Sequence, residues 1–187
     1  MKRFGFWMGN LIKEEDDLTL VLKVKEGDKA AFKALFDKYN KRIFALAFRM
    51  TSDTGLSEDI TQEVFFRVWD KISSFKFKSA FYTWLYRVAI NIIMRKGDKL
   101  NKQNKKEADV DIDIFYKKNE MQDDVDGKID LERALQRIPD QPRKIFVLYV
   151  MQGYSHKEIQ DLTGIAEGTS KCHLSRAREL LKKELSL

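Results

Sequence analysis

A chain of 187 residues with 43% apolar side chains holds material for one compact domain or two small ones, and only two prolines with nine glycines argue against a sheet punctuated by turns. The formal charge of +6 favours a polyanionic partner without requiring one. With the single cysteine Cys172 and the two histidines His156 and His173, an internal disulfide is excluded and a structural zinc site lacks ligands, so no cofactor or metal is expected and a reducing cytoplasm fits.

Residues 1–17 read as a loose tail or docking arm. Met1-Lys-Arg followed by Phe4 to Ile12 has the outline of a signal peptide, but Gly5, Gly9 and Asn10 interrupt the apolar run, and Glu14 to Asp17 follow without a small-residue cleavage site. No stretch reaches the roughly 20 apolar residues of a membrane span, so direct membrane insertion is not expected.

Residues 18–96 predict a small helical bundle. Leu18 to Lys25 forms a short helix closed by Gly27, and Asp28 caps a long one in which Phe32, Leu35, Phe36, Tyr39, Ile43 and Ala47 keep one apolar stripe. Thr51 to Gly55 break the pattern. Leu56, Ile60, Val64 and Val68 restart it, with Phe65 and Trp69 beside them, and Phe81 to Arg95 supplies a further helix whose Phe81, Leu85, Val88 and Ile92 face the core, with Trp84 also assigned to it.

Just before that last helix, Phe75-Lys-Phe-Lys-Ser79 alternates rings with cations. An aromatic face stacks on an unpaired base for about 1–3 kcal/mol, and Lys76 and Lys78 suit phosphates, although a ring in a loop also serves as a plug for a gap. Along the following helix Thr83, Arg87, Asn91 and Arg95 make a polar ridge flanked by Tyr82 and Tyr86, which core packing leaves unexplained.

From 97 to 127 the periodicity fails and a basic block gives way to an acidic one, the composition of a flexible charged linker. Residues 128–187 predict four further helical segments: Ile129 to Ile138 ended by Pro139, Asp140 as N-cap of a helix through Met151, a short helix with a Ser155/Glu158 capping box, and, after a tight turn at Gly164, a basic helix from about Glu167 to Leu185. The last two make a helix-turn-helix. Ile159, Leu162, Ile165, Leu174, Ala177 and Leu181 fill its angle, leaving Thr169, Ser170, Lys171, His173, Ser175, Arg176 and Arg178 to face a major groove and Lys182 and Lys183 as solvated charge. The expected class is all-α, in two small domains.

Catalysis is not expected: there is no Gly-rich phosphate loop, no convergent carboxylate set and no Ser/His/Asp grouping. The helix from Leu56 to Trp69 carries Asp59, Gln62, Glu63 and Arg67 on a polar face too acidic for DNA and suited to a protein partner.

Three stretches, Asp59-Ile-Thr-Gln-Glu-Val-Phe-Phe-Arg-Val-Trp69, Phe81-Tyr-Thr-Trp-Leu-Tyr-Arg-Val-Ala-Ile-Asn91 and Glu167-Gly-Thr-Ser-Lys-Cys-His-Leu-Ser-Arg-Ala-Arg178, together resemble bacterial RNA polymerase sigma factors of the extracytoplasmic-function group. The resemblance runs from Leu18 to Leu185 and leaves the tail outside. It implies that Asp59, Gln62, Glu63 and Arg67 dock the clamp of core RNA polymerase. By the same resemblance Phe75 to Ser79, Tyr82, Arg87 and Asn91 read the minus ten element of promoter DNA and capture an unpaired base of the non-template strand. The last helix would read the minus thirty-five element, the linker would thread toward the RNA exit path, and an anti-sigma factor would be a partner. Ser170, Cys172 and His173 stand where such proteins commonly have valine, serine and arginine, and Arg95 stands where aspartate is common; the first three bear on promoter specificity, since losing an arginine removes a bidentate or phosphate contact. A stand-alone helix-turn-helix regulator with a sensing bundle explains the last domain equally well but gives Phe75 to Lys78 no role.

Overall fold

Asp28 opens the longest helix by the expected chemistry: its Oδ1 accepts the backbone N–H groups of Ala30 and Ala31 at 2.8 and 3.0 Å. A computed structural model of the chain describes residues 14–100 and 125–185, and every regular element in them is helical. In chain order these are α1 (Glu14–Lys25), α2 (Lys29–Thr51), α3 (Thr54–Lys71), a 3-10 turn (Ile72–Ser74), α4 (Phe81–Leu100), α5 (Val125–Arg137), α6 (Asp140–Phe146) running into a π turn (Val147–Met151), α7 (His156–Thr163) and α8 (Glu167–Glu184). Two compact units result, residues 14–47 with 55–100 and residues 48–54 with 125–185.

In the first unit the predicted stripes are buried: Leu35, Tyr39 and Ile43 of α2, Ile60, Val64 and Val68 of α3, Phe81 and Leu85 of α4. Phe65 meets the edges of Phe32 and Phe36 with centroids 6.4 and 4.7 Å apart, and Tyr39 meets Phe81 at 5.7 Å, so aromatic edges join α2 to both neighbours. Helix α1 packs on the 3-10 turn and on α4. It begins at Glu14, inside the stretch expected to be tail. The reason is Asp17, which is buried, pairs with Lys38 at 2.6 Å and accepts a hydrogen bond from the Tyr39 hydroxyl. Burial first, and then the Asp17 carboxylate, hold the Tyr39 phenol well above its ordinary pKa.

Helix α4 continues through Gly97 to Leu100, and α5 starts at Val125, so both ends of the expected 97–127 linker are helical. Its remainder, 101–124, and residues 1–13 lie outside the described residues.

The second unit is built around α8, which packs against α5, α6 and α7 along Leu174, Ala177 and Leu181. Asp140 is the first helical residue of α6 rather than its cap, and its carboxylate compensates two buried cations, Arg143 Nη2 at 3.2 Å and Lys144 Nζ at 2.7 Å. The Ser155/Glu158 capping box forms with both of its hydrogen bonds, and Gly164 closes α7 at φ 74°, a conformation any larger residue would adopt only with strain. Gln160 of α7 extends the turn by accepting the Glu167 backbone N–H at 3.0 Å.

Replacing Tyr39 by Phe removes the donor to buried Asp17 and is expected to lower the stability of the first unit by about 1–3 kcal/mol. Urea unfolding followed by circular dichroism checks this, and an unchanged midpoint contradicts it.

Candidate nucleic-acid interface

The segment from Phe75 to Ser79 leaves the 3-10 turn, whose Ile72 is buried and whose carbonyl accepts the Phe75 N–H at 3.1 Å. Its two rings separate. Phe75 is 4% exposed, with ring centroids 6.0 Å from Phe81 and 5.4 Å from Trp84. The expectation that Phe75 touches DNA is therefore corrected: its backbone is extended at φ −68° and ψ 116°, and the ring lies in the aromatic cluster at the start of α4. Phe77 is 41% exposed and sits at φ 54°, the left-handed region that costs a side-chain-bearing residue about 1–2 kcal/mol. Lys76, Lys78 and Ser79 are exposed around it.

From α1, Lys25 Nζ donates to the Phe75 carbonyl at 2.6 Å and lies 4.5 Å from the Phe77 ring centroid, within cation–π range. On α4, Tyr82 is half-buried while Arg87 and Asn91 are exposed one and two turns along. The first unit thus presents one exposed ring, two exposed lysines and, on the adjoining helix, an arginine and an amide: a set able to stack on a base and contact its flanking phosphates.

On α3, Asp59, Gln62 and Arg67 are exposed. Glu63 is half-buried and committed within the unit, hydrogen-bonded to Arg95 and paired with Lys96 at 3.0 Å. That pair explains why an arginine at 95 is accommodated. Burial pushes the Glu63 pKa up, but the Lys96 bond and charge together with Arg95 outweigh it and hold the carboxyl below its ordinary value of 4.5. Sequence reasoning passed over Phe66, which is 72% exposed. It stands on α3 four positions after Gln62 and off the Ile60, Val64, Val68 stripe, and an apolar residue on the polar side of a patterned helix was the signal.

In the helix-turn-helix, Thr169, Lys171, Ser175, Arg176 and Arg178 are exposed and His173 is half-buried. Arg176 pairs with Glu179 at 2.9 Å, and Lys171 lies 4.0 Å from Glu167. Ser170 is a second correction. It is fully buried, because it continues the Leu174, Ala177, Leu181 stripe by one turn, and its hydroxyl meets His156 Nδ1 at 2.8 Å. His156 is half-buried and stacks on Tyr149 with centroids 4.5 Å apart. An inward position also accounts for valine being common where Ser170 stands.

Residues 35–103 match the family model for Sigma-70 region 2, and residues 128–181 match that for Sigma-70, region 4. The ECF RNA polymerase sigma factor SigW of Bacillus subtilis is 31% identical over 88% of this chain and 94% of its own length. The chain belongs to the sigma-70 family, in its extracytoplasmic-function group. Other relatives of this sigma factor are the RNA polymerase sigma-H factor of Pseudomonas aeruginosa, 29% identical over 94% of the chain and 96% of the relative, and the ECF RNA polymerase sigma-E factor of Escherichia coli, 28% identical over 90% and 94%. Among solved structures, CnrH in complex with the cytosolic domain of CnrY matches with a TM-score of 0.54 at 18% identity, covering 91% of this chain and 97% of that one. The sigma factor RpoE of Bartonella quintana, in complex with the anti-sigma factor NepR, matches with a TM-score of 0.54 at 22% identity, covering 83% and 97%. These likenesses establish the sigma fold. Among the described residues no helix is long and apolar enough to cross a membrane, and no group of His, Cys, Asp and Glu could hold a metal ion.

Because the folded pKa of Glu63 lies below its unfolded value, its pairing stabilises fully above about pH 4.5 and is lost as pH falls through the folded pKa. Glu63→Gln is expected to cost about 0.5–1 kcal/mol at pH 7, discounted for the exposure of Arg95, with the gap to the parent protein narrower at pH 3. Urea midpoints at both pH values test this; a gap that persists unchanged at pH 3 contradicts it.

Proposed function

We propose that this sigma factor binds core RNA polymerase through the exposed side of α3 and opens promoters with the segment that follows it. Asp59, Gln62, Arg67 and Phe66 form the polymerase-facing surface, a mixed polar face around one large apolar side chain. Glu63 supports that surface from within through Arg95 and Lys96. Lys76, Phe77, Lys78, Ser79, Tyr82, Arg87 and Asn91 engage the minus ten element, with Phe77 stacking on an unpaired base of the non-template strand. Thr169, Lys171, His173, Ser175, Arg176 and Arg178 on α8 engage the minus thirty-five duplex. Residues 18–96 constitute the melting domain, 97–127 the connection and 128–187 the duplex-reading domain.

The observation that carries this reading is Phe77: an aromatic side chain turned outward, at a backbone angle that costs energy, between two exposed lysines. A stand-alone regulator has no use for it. The protein performs no catalysis of its own and works in the cytoplasm with promoter DNA and core polymerase. A cognate anti-sigma factor restrains it, in line with the complexes in which CnrH and Bartonella RpoE were solved.

With purified core polymerase, Phe77→Ala is expected to reduce open-complex formation about tenfold to a hundredfold while core binding changes less than about twofold. Phe66→Ala is expected to weaken core binding. Titrated fluorescence for binding and permanganate footprinting for opening separate the two effects, and loss of both by Phe77→Ala contradicts the assignment. Tight binding of duplex DNA by the isolated chain, with no preference for bubble DNA, would instead favour the stand-alone regulator.

A further inference from the structure

Resting on the reading of Phe77 as a strand-capturing ring, we infer that Lys25 is a positioning residue for that capture: it fixes the 75–79 segment so that Phe77 meets a base in a preset orientation. Lys25 is 50 residues upstream of Phe75, on the last turn of α1, yet its ammonium touches both halves of the segment. One N–H is donated to the Phe75 carbonyl at 2.6 Å, and the charge sits 4.5 Å from the centre of the Phe77 ring. The carbonyl contact fixes the backbone two residues before the strained position, and the ring contact holds the side chain of that position itself.

The mount is rigid. Gly27 N–H donates to the Val24 carbonyl at 2.9 Å and Asp28 N–H to the Lys23 carbonyl at 3.0 Å, Gly27 lies at φ 91°, and Asp28 then caps α2. The backbone of Lys25 is thereby held between two helices, and α1 itself packs on the 3-10 turn from which the segment departs. A lysine at the C-terminal turn of a helix is also favoured by the helix dipole.

Two consequences follow for binding. A loop held in its bound conformation does not lose that freedom when the strand arrives, which is how preorganisation raises affinity. A cation near the ring also adds positive charge next to Lys76 and Lys78, where the phosphates of a captured strand would lie. Lys25 need not touch the nucleotide for either effect.

The test uses holoenzyme assembled with Lys25→Met, Lys25→Arg, Phe77→Ala or the Lys25→Met/Phe77→Ala pair, and measures core binding, binding of a single-stranded minus ten oligonucleotide, and open-complex formation. Lys25→Met is expected to leave core binding unchanged and to weaken oligonucleotide binding and opening about fivefold to tenfold, with Lys25→Arg retaining most of both. In the double variant the Lys25 change should add little to Phe77→Ala, a non-additivity that general destabilisation would not produce. Opening at the parent rate by Lys25→Met, or by Lys25→Gln should the methionine variant not fold, together with impaired opening by Phe77→Ala, overturns the role of Lys25 alone. Additive loss in the double variant overturns it as well. Parent-rate opening by Phe77→Ala overturns the underlying reading of the ring.

Discussion

The burial of Phe75 against Phe81 and Trp84 is the constraint on which the candidate interface depends. Phe75 is anchored in that cluster, and the ring of Phe77, which meets Phe75 at 4.9 Å, lies at its edge. Phe77 takes a left-handed backbone angle and stays partly in solvent. The cost of that angle is of the same order as what an aromatic–aromatic contact and a cation–π contact return, and Phe77 makes one of each, with Phe75 at 4.9 Å and with Lys25. The partly exposed ring is thus held in place by its local contacts.

The same unit separates its tasks by helix face. Helix α3 turns its apolar stripe inward and its acidic and polar side outward, whereas α4 carries Arg87 and Asn91 outward beyond the Phe75 cluster. The Glu63 pairing with Arg95 and Lys96 ties these helices together through oppositely charged partners. In the second unit the helix-turn-helix angle is set by Ile159, Leu174 and Ala177, and by the hydrogen bond between His156 and Ser170.

Much of the fold was legible because it rests on short-range chemistry. The Asp28 cap, the Ser155/Glu158 box, the Gly164 turn and the four-residue spacing of Ile60, Val64 and Val68 each specify backbone geometry within a few residues. What escaped depends on contacts between segments or on irregular backbone. The 75–79 alternation has no period that tells which ring turns inward, and nothing in Phe77 itself announces a positive φ, which glycine or asparagine would have done. An inward stripe read from Leu174 onward omits Ser170 one turn earlier, and Asp17 falls in the tail because its partner Tyr39 is 22 residues away. The Glu63 contact to α4 spans 32 residues and has no local signature. Phe66, by contrast, could have been found by asking which apolar residue of α3 falls outside its stripe.

The most direct measurement of the central claim places a photoactivatable phenylalanine analogue at position 77 or 75 in holoenzyme on a melted promoter. Crosslinks to the non-template strand from position 77 and none from position 75 are the predicted result. A strand captured from position 75, or by neither position, would contradict the account.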